Sequence, residues 1–68
     1  MVNTKQLKGK IVSSGYTQRK LARETGMSVN SLNAKINGRK IFDAEEVIRI
    51  CEVLGISDPK EKCEIFLG

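Results

Sequence analysis

Apolar residues along the chain recur at helical spacing, and no stretch alternates apolar and polar residues for more than a few positions. Leu7 and Ile11, one turn apart, predict a first helix over residues 4–13, opened by Asn3 or Thr4 and broken near Gly15. Thr17 is a strong N-cap for a second helix over 18–25, with Leu21 and Ala22 inward and Gly26 suited to the left-handed turn that ends it. Ser28 predicts the start of a third helix over 29–37, with Leu32 and Ile36 inward, Met27 beneath the turn and Gly38 closing the end. Asp43, followed by Glu46 at the third helical position, is an acidic version of the capping box. The fourth helix that it opens has an inner stripe of Val47, Cys51 and Leu54, supported by Ile48 and Ile50, and stops at Gly55. Asp58, Pro59 and Glu61 open a fifth, predicted to turn Cys63, Phe66 and Leu67 inward. Residues 62–68 are equally compatible with an extended strand, because Ile65, Phe66 and Leu67 have β character.

Five helices in 68 residues imply one small all-α domain over residues 1–68, with a compact core. Its composition, 40% hydrophobic and 29% charged, is ordinary for a soluble globular chain. The longest apolar run, Ile65 to Leu67, is far too short to cross a bilayer. Residues 1–6 lack the apolar stretch of a secretion signal, so a cytoplasmic location is expected. With no His, and with Cys51 and Cys63 alone, no structural zinc site can be assembled, and neither metal nor cofactor is expected. Both cysteines fall on predicted apolar stripes as small hydrophobes, and a reducing compartment argues against their pairing. No nucleophile–base pair and no glycine-rich phosphate loop is visible, so an enzyme is not expected.

Charge divides the chain. Residues 1–42 carry nine Lys/Arg against one acid, Glu24, a net of +8, whereas residues 43–68 carry three against seven, a net of −4. The asymmetry fits one half meeting a polyanion, though a solubilising surface would look the same. The third helix separates these readings. Its outward residues, Val29, Asn30, Ser31, Asn33 and Ala34, are short and uncharged, where an exposed helix in a bundle normally shows Glu and Lys. Asn is a poor helix former, but its amide can offer a donor and an acceptor together to adenine, and short side chains let a helix sink into the major groove.

These residues also carry a resemblance. The series Thr17-Gln18, Leu21-Ala22, Gly26, Ser28, Leu32 and Ile36-Asn37-Gly38 resembles the Cro/repressor helix-turn-helix superfamily of phage and bacterial regulators. Phe42 to Glu46 with Leu54-Gly55-Ile56 resembles that superfamily's fourth helix, so the likeness covers residues 4–57. The ending from Lys62 to Leu67 looks most like the small phage Cro-like proteins. The resemblance implies a compact five-helix domain of the lambda-repressor type and a regulator, a repressor of the Cro kind, bound to a duplex DNA operator. It places Gln18, Asn37, Arg39 and Lys40 on backbone phosphates, and Val29, Asn30, Ser31, Asn33 and Ala34 at base edges. The chain departs from many relatives at Val29, where Gln or Arg is common; a valine can meet a thymine methyl. One recognition helix covers too few base pairs to mark a unique site, so a homodimer is expected at least on DNA, its reading helices roughly 34 Å apart. Ile65, Phe66 and Leu67 are the expected contact, with at least Ile65 left free for a partner. An antitoxin-type regulator and a helical protein-interaction module are the alternatives.

Overall fold

The computed structural model describes residues 1–67, which form five α-helices. These are α1 (Thr4–Ser13), α2 (Gln18–Thr25), α3 (Val29–Ile36), α4 (Ala44–Leu54) and α5 (Pro59–Phe66). Each starts at a side-chain oxygen that satisfies an otherwise orphaned backbone N–H. Asn3 accepts from the Gln6 N–H, Thr17 from Lys20, Ser28 from Ser31, Asp43 from Glu46 and Asp58 from Lys60, all at 2.8–3.1 Å. At α4 the capping box is complete, because Glu46 Oε1 returns to accept from the Asp43 N–H at 2.9 Å. The third helix is one residue shorter than its sequence pattern predicts, and Asn37 caps it.

One core joins all five helices through Leu7 and Ile11 of α1, Leu21 and Ala22 of α2, Leu32 and Ile36 of α3, Ile50, Cys51 and Leu54 of α4, Ile56, and Ile65 and Phe66 of α5. The buried Thr25 hydroxyl donates to the Leu21 carbonyl at 2.7 Å. Phe66 meets Phe42 edge to face, with ring centroids 5.5 Å apart.

Two expectations about the C-terminal half need correcting. In α4, Ile50 is central, whereas Val47 is only half-buried and Ile48 is exposed. In α5 the inward pair is Ile65 and Phe66, while Cys63 is exposed and Leu67 is 71% exposed. The cause is helical phase: at 100° per residue, a helix that buries Ile65 turns Cys63 and Leu67, each two residues away, to its far side. An extended ending would have kept Ile65 and Leu67 on one face, but α5 stays helical to Phe66, and the Asn3 N–H donates to the Ile65 carbonyl at 2.6 Å. Ile65 is fully buried and therefore not free for a partner, and Phe66 is also part of the core; of the three expected contact residues only Leu67 is open.

Candidate nucleic-acid interface

The α2–turn–α3 unit depends on Gly26, which has φ +73° with open space where a Cβ would lie. Glycine is needed there for the backbone conformation, since any L side chain would be strained at that φ. The turn closes as the Met27 N–H donates to the Ala22 carbonyl at 2.9 Å, and Met27 packs half-buried against the core. Leu32 and Ile36, fully buried, then fix which face of α3 points outward.

On that outward face, Asn30 is exposed and Val29 is 42% exposed, both in the first turn of the helix. Ser31, Asn33 and Ala34 are half-buried. Asn33 lies at the centre of a side-chain chain: its Nδ2 donates to Gln18 Oε1 at 3.0 Å, and its Oδ1 accepts from Arg39 Nη2 at 2.9 Å. Arg39 is also held through its backbone, whose N–H donates to the Ala34 carbonyl at 2.8 Å. Three of the expected site residues, from the start of α2, the middle of α3 and the loop beyond it, therefore meet.

The others are placed differently. The Asn37 amide donates to the Asn33 carbonyl at 2.8 Å, closing the end of its own helix, while Lys40 is exposed within the loop over residues 38–42. Lys35, although on α3, is turned away from the outward face and paired with Glu46 through both carboxylate oxygens, at 2.6 and 2.7 Å, with little solvent around either side chain. Thr4 of α1 adds a further tie, its hydroxyl donating to the Ile36 carbonyl at 2.7 Å. Thus α1 and α4 both grip the C-terminal end of the outward helix. Sequence reasoning missed both grips; Glu46 was visible only as a cap, and no local spacing connects Thr4 with Ile36.

Electrostatically, the basic half remains largely open. Of its nine cations only Lys10 and Lys35 pair with acids among the described residues, Lys10 meeting Glu61 at 3.4 Å. Its one acid, Glu24, accepts from the Tyr16 hydroxyl at 3.2 Å, and the Lys20 amine lies 4.8 Å from the Tyr16 ring centroid. Local desolvation and then Glu24 push the Tyr16 phenol above its ordinary range, so it stays neutral near pH 7. Burial likewise pushes the Cys51 thiol up, with Lys62 pulling it down and Glu61 pushing it further up, so Cys51 is an inert core group and no thiolate nucleophile. No cluster of metal-ligating side chains occurs among the described residues, and no helix there is long and apolar enough to cross a membrane.

Away from α3, a groove of about 770 Å³ opens between α4 and α5. It is lined by Ile41, Phe42, Ile48, Cys63, Phe66 and Leu67 among others; its only charged residues are Lys40 and Lys62.

A short helix ending at a left-handed glycine, a second helix crossing it with a small polar outer face, and three further helices closing the core define a helix-turn-helix domain. The chain matches the family described as Helix-turn-helix over residues 7–60 and belongs to it; the family is of the Cro/repressor type. Its members are DNA-binding transcription regulators rather than enzymes. Neither the curated proteins nor the solved structures give a significant match.

Proposed function

We propose that this regulator is a Cro-like repressor that reads a duplex operator in the major groove with α3. The observation that carries the reading is the outer face of α3. Val29 and Asn30 stand exposed at its first turn, Ser31 and Ala34 lie beside them, and the one cation of the helix is turned away into an ion pair. A helix shaped for solubility would not expose asparagine and valine while neutralising its lysine. Gln18, Arg39, Lys40 and Asn37 flank that face as the candidate phosphate contacts. Selection from random duplex DNA at fixed salt gives the operator. On it, Asn30→Ala is expected to cost about 1–3 kcal/mol and to relax preference at one or two base pairs. Binding equal to wild type would remove Asn30 from readout. Neutralising Arg39 and Lys40 should weaken selected and random duplexes alike and lower the salt slope by about one unit per lost contact.

The reading includes a homodimer on DNA, and the α4–α5 groove is its best-supported surface. Both flanking helices carry a second apolar stripe besides the one they bury. In α4 this is Ala44, Val47 and Ile48, and in α5 it is Pro59 and Cys63, continued by Leu67 just past the helix, with the core residue Phe66 also lining the groove. Ile41, Ile48 and Leu67 are large, exposed and border the same groove, the pattern of an apolar patch that a partner covers. Sedimentation with a two-half-site duplex tests it. Leu67→Asp and Ile48→Asp should each abolish cooperative loading of two copies, and unchanged cooperativity in both would place the contact elsewhere.

A further inference from the structure

We propose that Asn33 is a positioning residue: it reads no base, and instead sets the polarity of a three-residue relay that presents only hydrogen-bond donors to the DNA backbone. The proposal rests on the DNA-binding reading above and concerns how the surface is organised before DNA arrives.

The polarity of the relay follows from Arg39. A guanidinium has five N–H donors and no acceptor, so whatever it bonds must be an acceptor. Asn33 therefore turns its Oδ1 to Arg39, at 2.9 Å, and the same rotation points its Nδ2 at Gln18. Only the oxygen of the Gln18 amide can accept that bond, at 3.0 Å, so the Gln18 NH2 group is left as the free end. Both termini of the relay, the Gln18 NH2 and the remaining Arg39 N–H groups, are then donors. Phosphate oxygens are acceptors only and match both ends, whereas every base pair sets a donor beside its acceptors in the major groove. A bidentate bond from Asn33 to adenine would have to share both its Nδ2 and its Oδ1 with the relay, in the orientation that Gln18 and Arg39 already fix.

The arrangement also removes an ordering cost. Gln18 and Arg39 are long side chains whose rotamers would otherwise be fixed only on binding. Asn33 holds both in place, with the Arg39 backbone anchored on the Ala34 carbonyl at 2.8 Å. Chains of hydrogen bonds polarise one another, so the Arg39 charge strengthens the Gln18 donor through Asn33.

The test compares wild type with Asn33→Ala, Gln18→Ala and the double variant, each bound to the selected operator and to random duplex across a salt series. Alanine is a better helix former than asparagine, so α3 is expected to keep its fold, checked by circular dichroism. Asn33→Ala should weaken both duplexes by the same factor, roughly three- to tenfold, while the base preferences found by selection stay unchanged. In the Gln18→Ala background the same substitution should weaken binding by a smaller factor than in wild type, since one of the two partners it acts through is already removed and only Arg39 is left. In the protein without DNA, the Gln18 side-chain amide resonances should shift on both Asn33→Ala and Arg39→Ala. Relaxed preference at one base pair with unchanged random binding would show direct readout by Asn33 and overturn the proposal, leaving the DNA-binding reading intact. Independent, additive effects of Asn33→Ala and Gln18→Ala would overturn it in the same way. A wild-type protein that fails to retain any duplex would overturn both.

Discussion

α3 and α5 are both eight residues long, both begin at a polar N-cap, and both bury two large apolar side chains. They differ in everything that does not serve the core. The rest of α5 is a charged solvent face of Lys60, Glu61, Lys62 and Glu64 beside Pro59 and Cys63 along the groove, and its outside ties are one backbone bond to Asn3 and the half-open pair of Glu61 with Lys10. The rest of α3 is nearly free of charge, its one lysine is consumed by Glu46, and its C-terminal turn is held by Thr4 as well. Apolar burial alone would have placed α3 as well as it places α5. The added polar grips restrict how α3 can tilt and slide, which matters for a helix that must present side chains to a rigid groove and much less for one that closes a core.

The comparison is broken most severely within α5 itself. Ile65→Asp places a charge at a fully buried position and should cost at least about 4 kcal/mol, enough to unfold a domain of this size. Leu67→Asp, two residues away and 71% exposed, should change stability by no more than about 0.5 kcal/mol. Thermal denaturation followed by circular dichroism measures both, and similar losses would show that α5 is not phased as described. The next largest effect lies at the grip on α3. Glu46→Ala removes both the capping bond to Asp43 and the pairing with Lys35, an expected loss of about 2–3 kcal/mol in urea denaturation. Glu46→Gln keeps a capping acceptor and should lose about half as much.

Smaller still is the tie from α1. Thr4→Val preserves shape and deletes the bond to the Ile36 carbonyl, for about 1 kcal/mol. Lys10→Ala, which breaks the corresponding α1–α5 pair, should cost under about 0.5 kcal/mol because that pair is partly open to solvent. Equal losses from the two would mean that α3 is gripped no more firmly than α5. The smallest effect is one of pH. The Cys51 thiol is raised in the folded state, so the folded form keeps its proton where the unfolded chain, near its ordinary value, has lost it. Its stabilising contribution is complete below that ordinary value and declines as pH climbs past about 8.5 toward the folded value. Wild type should therefore lose stability relative to Cys51→Ala as pH rises past the ordinary thiol value toward the raised folded one, and parallel curves would remove the thiol from the balance.

What the sequence by itself determined was the local part. An N-cap side chain bonds an N–H only two or three residues away, a helix-ending glycine needs only its own φ, and apolar spacing needs only the helical period. The five starts from Asn3 to Asp58, the corner at Gly26 and the inward residues of the first three helices were therefore legible before any fold was known. The outward face of α3 was legible for the same reason, since fixing Leu32 and Ile36 inward leaves Asn30 outside. In α5 the same reasoning failed, because its apolar residues fit more than one phase. Only docking against α1, with the Ile65 carbonyl taking the Asn3 N–H, chose between them. The tertiary structure alone decided that Lys35 belongs to Glu46, that Thr4 holds Ile36, and that Asn33 joins Gln18 to Arg39. These contacts bring together residues from different helices and loops, and a side chain's hydrogen-bonding groups do not name their partners until packing of the apolar faces has set the distances between them.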